Sequence, residues 1–579
     1  MIRATRRAFI AGLLLAASAI ATAQAQRGSN FVIPPVQPVT AQHGMVVAQE
    51  ARAARIGANI LKRGGNAIDA AVATGFALAV TYPRAGNIGG GGFMVVHLAQ
   101  DRQNLGNRNI AIDYRETAPA ATTHETYLDK QGAADPKKSR DLGLAIGVPG
   151  TVAGLALAHR KYGSGKFTLA QLIAPAHAMA RQGIPIEDDT ADSLPSAQAL
   201  LARWPSSARI FLHPNGRARA PGEMLVQADL ARTLDAIARH GPRAFYQGPI
   251  ADKIVASVRA AGGLMTRKDI ASYRAVERPV TRGTYRGYDI VSMPPPSSGG
   301  VLLVEMLNVL EGFKLQRGDP DSLHLMIETM RHAYADRARL LGDPDFVKIP
   351  AAGLTSKRYA ASIREKINRE SAQPSRDIAA SNPAAFEGDN TTHYSVVDRF
   401  GNAVANTTTL NLSYGVGLVA DGTGVLLNNE LDDFAAAPGA PNAFGLVGFD
   451  ANAPGPNKRP LSSMTPTIVL KDGKPFLVTG SPGGSRIINV VLQVLLNAID
   501  HGMPIADAVH APRIHHQWLP DEVMIEAGVP PATVKALEAR GHRVTVRTPL
   551  SSANSIMATP GGLVGAADTR TRGALAAGY

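Results

Sequence analysis

Asn390-Thr391-Thr392-His393-Tyr394-Ser395-Val396-Val397-Asp398 marks a change of texture in this 579-residue chain. From about 145 to 380 the pattern is mostly helical, with short loops and a Pro-rich turn at 294–296. After 390 it turns to β. His393 to Asp398 and Ala403 to Leu410 flank Arg399-Phe400-Gly401-Asn402, which predicts a hairpin. Thr467 to Leu470 and Phe476 to Thr479 flank Lys471-Asp472-Gly473-Lys474 and predict a second. A helix is expected from Arg486 to about Asp500, after Gly483-Gly484. Toward the N-terminus, Val46 to Val80 reads as two helices broken at Gly64-Gly65, since glycine accepts the positive φ that ends a helix. Phe93 to His97 and Ile110 to Tyr114 read as strands, with Arg115 at the end of the second. Helices first and antiparallel pairs later predict a layered α+β domain. The strands after 390 need the earlier helices as cover, so both parts belong to one core.

Segment 371–390 is rich in Ser, Pro, Ala and Asn and reads as a flexible linker to a cut site. An interior threonine usually reflects β propensity alone. A threonine that becomes a chain N-terminus carries nucleophile and base in one residue, its hydroxyl and its α-amino group. That amine has an unperturbed pKa of about 8, so part of it is neutral at neutral pH. Before cleavage the Thr391 hydroxyl can attack the Asn390 carbonyl; the resulting ester is opened by water. Thr409 lies on the partner strand of the first hairpin and can approach Thr391; read alone, a plain cross-strand Thr pair is the favoured reading. Gly483 and Gly484 stand between a strand and a helix start. Outward-pointing N–H groups there suit an oxyanion. No Lys-Ser/Thr follows, which disfavours a phosphate loop. The run Gly89 to Gly92 reads as close backbone packing near the site.

Cysteine is absent, which excludes thiol nucleophiles, disulfides and thiolate metal sites. Met1 to Ala25 has a basic start, a short apolar run and Ala23-Gln24-Ala25, the layout of a secretory leader cleaved after Ala25. Arg6-Arg7 leaves the Sec and twin-arginine routes open. The apolar run falls short of the ~20 residues of a membrane span, and no second one follows. A soluble periplasmic or secreted protein is expected. The formal charge of +13 becomes +10 without the leader. Its basic clusters are short and lack interleaved aromatics, so nucleic acid is not an expected partner. His515-His516 would face opposite sides of a strand, so no metal is assigned.

Thr391-Thr392-His393-Tyr394-Ser395, Leu426 to Phe434, Arg459 to Met464 and Gly480 to Ser485 together resemble the γ-glutamyltranspeptidase family of N-terminal nucleophile hydrolases. Ile112 to Glu116, the glycine run and Met293 to Gly300 fit the same family. The resemblance implies a four-layer αββα sandwich. It further implies a leader at 1–25, a large subunit at 26–390, a small catalytic subunit at 391–579, and cleavage between Asn390 and Thr391. The two pieces would stay associated as a heterodimer. Thr391 would be the nucleophile, oriented by Thr409, with Gly483 and Gly484 as the oxyanion hole. Arg115, Ser462 and Ser463 would take the α-carboxylate of a γ-glutamyl donor; Asp433, Glu430 and Asn411 would take its α-ammonium. Without the family, Arg115 reads as a buried ion pair with Glu116 or Asp113, and Asp432-Asp433 as a capped turn. Donors would be glutathione and other γ-glutamyl compounds; acceptors would be water, amino acids or dipeptides. No cofactor is implied. Pro438 to Gly448 resembles the lid over the pocket. Phe444 replaces a tyrosine common in bacterial relatives, so a hydroxyl gate cannot form.

A glutaryl or cephalosporin-type acylase of the same fold is the main alternative. Its substrates lack the α-ammonium, and Asp433 argues against it. A non-enzymatic exported binding protein would not explain Thr391 behind a linker. A Ser-His-Asp hydrolase lacks its G-x-S-x-G elbow.

Overall fold

The computed structural model describes residues 32–100, 106–378 and 391–579. The leader at 1–25, residue Asn390 and most of the linker lie outside them. Two seven-stranded antiparallel sheets stack face to face. One runs, edge to edge, Leu575–Gly578, Met45–Ala48, Thr392–Val397, Ala403–Thr409, Gly91–Leu98, Arg108–Asp113 and Val276–Arg278. The other runs Val39–Ala41, Gly562–Ala567, Asn554–Thr559, Lys474–Thr479, Thr467–Lys471, Tyr288–Ser292 and Thr281–Tyr285.

Strand alternation builds the layers. Val46, Ala48, Met94, Val96, Ile110, Ile112, Tyr394 and Val396 point outward to a helical core that includes Ala51–Lys62, Ala67–Thr81 and Thr151–Tyr162. Their neighbours Met45, Val47, Phe93, Val95, Ala111 and Ala405 point inward against Val291, Ile468, Leu470, Val478 and Ile556 of the second sheet. The second sheet's far face, with Ile290, Val469 and Leu477, is covered by Gly299–Leu310, Pro320–Leu340 and Ile487–Ile499. The result is a four-layer αββα sandwich, as the resemblance implied.

Both predicted hairpins form. Asp398 accepts N–H groups of Phe400 and Asn402 at 2.8 and 3.0 Å and closes the first turn, with Gly401 at φ 83°. Asp472 and Gly473 have φ of 50° and 74°, the left-handed pair that two-residue hairpins favour. The strand Thr392–Val397 lies between Met45–Ala48 and Ala403–Thr409, so sequence from both sides of position 390 shares one sheet. Thr392 faces Thr408, which places Thr391 beside Thr409.

Three local expectations change. Met45–Ala48 is a strand, and the first helix begins only at Ala51, capped by the Glu50 side chain. Within the stretch read as mostly helical, Val276–Arg278 and Thr281–Tyr285 are edge strands of the two sheets and Tyr288–Ser292 lies next to the latter; all are too short for alternation to stand out. The expected linker begins in fixed chain: Ser375–Ile378 is a helical turn, and buried Ser375 bonds Asp521, Arg331 and Trp518. Among the described residues no helix is long and apolar enough to cross a membrane.

Candidate active site

Thr391 immediately precedes the strand Thr392–Val397 and lines a small, narrow cavity. Thr409, Asn411, Arg115, Glu430, Asp433, Ser462, Ser463 and Gly484 line the same cavity. Residues spread over more than 350 positions of sequence thus meet at one point. The Thr391 hydroxyl lies 3.5 Å from that of Thr409, which accepts the Asn411 N–H at 2.8 Å. Asn87 holds the same strand end, donating to the Thr409 carbonyl at 2.8 Å. The glycine run is close packing, as read from the sequence. A Cβ at Gly90 or Gly92 would lie 2.2 or 2.4 Å from the carbonyls of Thr409 and Thr407.

Arg115 follows the strand Arg108–Asp113 and is fully buried. It pairs with Glu430 and, at 2.5 Å, with Asp433, while its Nε donates to the Pro460 carbonyl at 3.1 Å. Burial opposes its charge, but the two carboxylates outweigh burial and keep the guanidinium protonated. The residue-level expectation of Glu116 or Asp113 as its ion-pair partner is corrected. Asp113 instead caps the Arg115 N–H at 2.9 Å and pairs with Arg278. Glu430 and Asp433 bracket a short 3-10 turn, Glu430–Asp433, which aims both at Arg115. Asp432 faces away, to Ser139 and the Ala443 N–H.

Burial raises the pKa of Glu430 to about 7, and it raises Asp433 as well. Glu116 was missed as a site residue. It is fully buried against Glu430, neither of its carboxyl oxygens has a polar partner besides that carboxyl, and burial and Glu430 raise its pKa strongly. Two carboxyls in contact in a dry site share one proton. Arg337 was also missed: it is buried behind Asp433 and donates to the Ser298 hydroxyl at 3.1 Å. No local signal in the sequence distinguishes it from any other helical arginine.

The Pro-rich turn positions the serines. Ser462 N–H donates to the Pro296 carbonyl at 2.9 Å, and Ser298 N–H returns to the Ser462 carbonyl at 2.8 Å. The Ser463 hydroxyl is buried without a hydrogen-bond partner. Asn411 has φ 72°, and its Nδ2 donates to the Asn429 carbonyl at 3.0 Å, which fixes its amide. Gly483 and Gly484 have φ of 114° and 56° and lead through one 3-10 turn into the helix Ile487–Ile499. Only glycine adopts two such residues readily.

Residues 438–448 fold over the cavity. Asn442 Nδ2 donates to Asp433 at 2.9 Å, and Gln517 donates to the Phe444 carbonyl at 3.0 Å. The Phe444 ring covers Gly484, where a Cβ would lie 2.3 Å from it. Packing therefore holds this segment in place of a hydroxyl.

His515 bonds Asn489 and Gln517, and His516 bonds Asp521. Burial keeps both imidazoles neutral, with pKa values of about 3 and 4. Among the described residues the one group with metal-ligand spacing is His324, Glu328 and His542; Arg331 already compensates its carboxylate.

Four αββα layers with a threonine at the head of a central strand define an N-terminal nucleophile hydrolase. The γ-glutamyltranspeptidase family model matches residues 53–578, and the chain belongs to that family of enzymes. It is 51% identical to the glutathione hydrolase proenzyme of Escherichia coli (strain K12), with 99% of each chain covered. The cephalosporin acylase of Bacillus halodurans superposes with a TM-score of 0.81 at 27% identity, covering 95% of this chain and 98% of that one. The γ-glutamyltranspeptidase of Helicobacter pylori superposes with a TM-score of 0.54 at 45% identity, over 56% of this chain and 92% of that chain.

Proposed function

We propose that the protein is an exported, self-cleaving γ-glutamyltransferase and glutathione hydrolase. The observation that carries this reading is the Arg115–Glu430–Asp433 cluster beside Thr391. A buried cation next to two acids matches both charges of an α-amino-acid head group. Arg115, with Ser462 and Ser463, receives the α-carboxylate. Asp433, Glu430 and the Asn411 carbonyl receive the α-ammonium. The γ-carbonyl then reaches the Thr391 hydroxyl.

Cleavage of the Asn390–Thr391 bond frees the Thr391 amine. That amine takes the hydroxyl proton as the oxygen attacks, and Gly483 and Gly484 stabilise the oxyanion. The donor's amine leaves with a proton, and a γ-glutamyl ester remains on Thr391. Water releases glutamate; an amino acid or dipeptide takes the acyl group instead. Residues 26–390 and 391–579 remain together because their strands share one sheet. The leader at 1–25 directs the chain to the periplasm or beyond.

The test is a denaturing gel of the purified protein with N-terminal sequencing of its smaller band, followed by nitroaniline release from γ-glutamyl-p-nitroanilide. Two bands, the smaller beginning at Thr391, and release that glutathione competes against are expected. A single uncleaved chain that still turns over would overturn the reading. The acylase alternative draws on the 0.81 TM-score. Asp433 and Glu430 oppose it, since a glutaryl head group leaves both acids without a cation of its own.

A further inference from the structure

A cavity of about 390 Å³ is walled by the helices Pro320–Leu340 and Ile487–Ile499 and shares no residue with the one at Thr391. Its volume falls within the ~300–1,000 Å³ of small-molecule sites, which are mostly apolar with a few placed polar groups. Leu315, Leu323, Met326, Leu496, Ile514 and Val529 supply the apolar wall. Most polar side chains of the lining are already used. Gln493 receives the Ile514 N–H at 2.9 Å and donates to the Ile514 and Asn489 carbonyls at 2.8 and 2.7 Å. Asn497 donates to the Ala508 carbonyl at 3.1 Å, and the Ser322 hydroxyl donates to Asp319 at 2.8 Å. Two groups remain. Among the described residues neither Arg317 nor the His501 ring has a hydrogen-bond or ion-pair partner, and no Asp or Glu lines the cavity. The chain at Arg317 is tied down on its far side, where the Gly318 carbonyl receives the Thr533 hydroxyl at 3.3 Å. Burial, with Arg317 adding to it, lowers the His501 pKa. Near neutral pH the ring is therefore an uncharged donor, and Arg317 is the one cation of the lining.

We propose that this cavity binds a small organic anion with an apolar body, an aryl or alkyl chain ending in a carboxylate or sulfonate. The apolar wall takes the body. Exposed Arg317 takes the anionic head, and the His501 N–H adds a donor. Arg317 has no carboxylate of its own to give up, so pairing with a ligand costs no internal ion pair. A neutral apolar molecule would leave Arg317 unused, and a cation would meet its charge with no acid in the lining to offset it. The site is separate from the chemistry. Ile487, at the head of its helix, lines the Thr391 cavity, while Gln493, Leu496 and Asn497 of the same helix line this one. At 1.5 Å per residue, Ile487 and Asn497 stand about 15 Å apart along the axis, so both cavities can be filled at once.

The experiment titrates the full-length purified protein with two fluorescent probes that share one ring system, 8-anilinonaphthalene-1-sulfonate and its uncharged parent N-phenyl-1-naphthylamine. The wild type is expected to bind one equivalent of the sulfonate at least fivefold more tightly than the parent. Arg317→Gln, an exposed substitution, should abolish that preference while leaving the parent's affinity unchanged. Leu323→Trp, which fills the cavity from a half-buried position, should weaken both probes at least tenfold. Millimolar L-glutamate should displace neither. Equal affinity of the wild type for the two probes would overturn the site, as would unchanged binding in Leu323→Trp or displacement of the sulfonate by glutamate. The wild-type comparison decides the matter even if neither variant can be purified. None of these outcomes bears on the γ-glutamyl reading, which the gel and the nitroaniline release test by themselves.

Discussion

The hydroxyls of Thr391 and Thr409 stand 3.5 Å apart, each at the end of its strand, and the Asn411 N–H bonds the second at 2.8 Å. The chain Asn411 to Thr409 to Thr391 fixes where the Thr391 hydroxyl points. Thr409→Val removes that link with little change of shape. It should lower kcat for γ-glutamyl-p-nitroanilide about 10²-fold, as small misplacements at a reacting centre do. Thr409→Ser should recover most of the loss. A Thr409→Val enzyme with wild-type kcat would remove Thr409 from the site.

Glu116 and Glu430 make a second prediction. A shared proton means that one of the two already behaves as a neutral donor. Glu116→Gln should therefore fold and turn over within about 1 kcal/mol of wild type. Glu116→Ala should cost about 1–3 kcal/mol in stability, since it leaves a buried Glu430 oxygen unpaired. Urea midpoints of both variants measure this; equal losses would mean that Glu116 is ionised.

The pH dependence of stability follows from Glu430. Its pKa rises on folding from 4.5 to about 7, so in that window the folded protein binds more protons than the unfolded chain. The contribution of this group is fully present below about 4.5 and is lost as pH rises toward about 7. Glu430→Gln should flatten the urea-midpoint profile over that range. An unchanged slope would place the titration elsewhere.

On the proposed γ-glutamyl reading, Asp433 is the residue that would set donor selectivity. A site built to pair a group can reject analogues that lack it by as much as about 10⁴–10⁵. The wild type should prefer γ-glutamyl over glutaryl anilide by a large factor in kcat/KM, and Asp433→Asn should narrow that gap. Equal use of the two anilides by the wild type would favour the acylase reading.

Gly484 tests the lid. A Cβ there would meet the Phe444 ring at 2.3 Å, at a backbone φ of 56° that disfavours a side chain. Gly484→Ala should lower the acylation rate about 10²-fold by disturbing the oxyanion turn. Adding Phe444→Ala should restore part of it, because it removes the steric share but not the backbone strain. No recovery at all would mean that the ring does not bear on Gly484.

The sequence by itself determined a great deal here. Period-two alternation around 392–410 and 467–479 wrote both hairpins, and the turns at Gly401 and Asp472-Gly473 carry their own local chemistry. The ordered motifs gave the family and eight of the twelve residues that line the cavity beside Thr391; Gly483, also named, stands just outside that lining. What lay beyond it is what depends on neighbours distant in sequence. The strands at 45–48 and 276–292 are short, and their pairing partners, not their own pattern, make them strands. Arg115 was named, but its ion-pair partners were set by a turn some 315 positions away. Glu116 and Arg337 look ordinary in sequence. Only stacking four layers buries one against Glu430 and the other behind Asp433, and in that dry space an ordinary charge becomes part of a site.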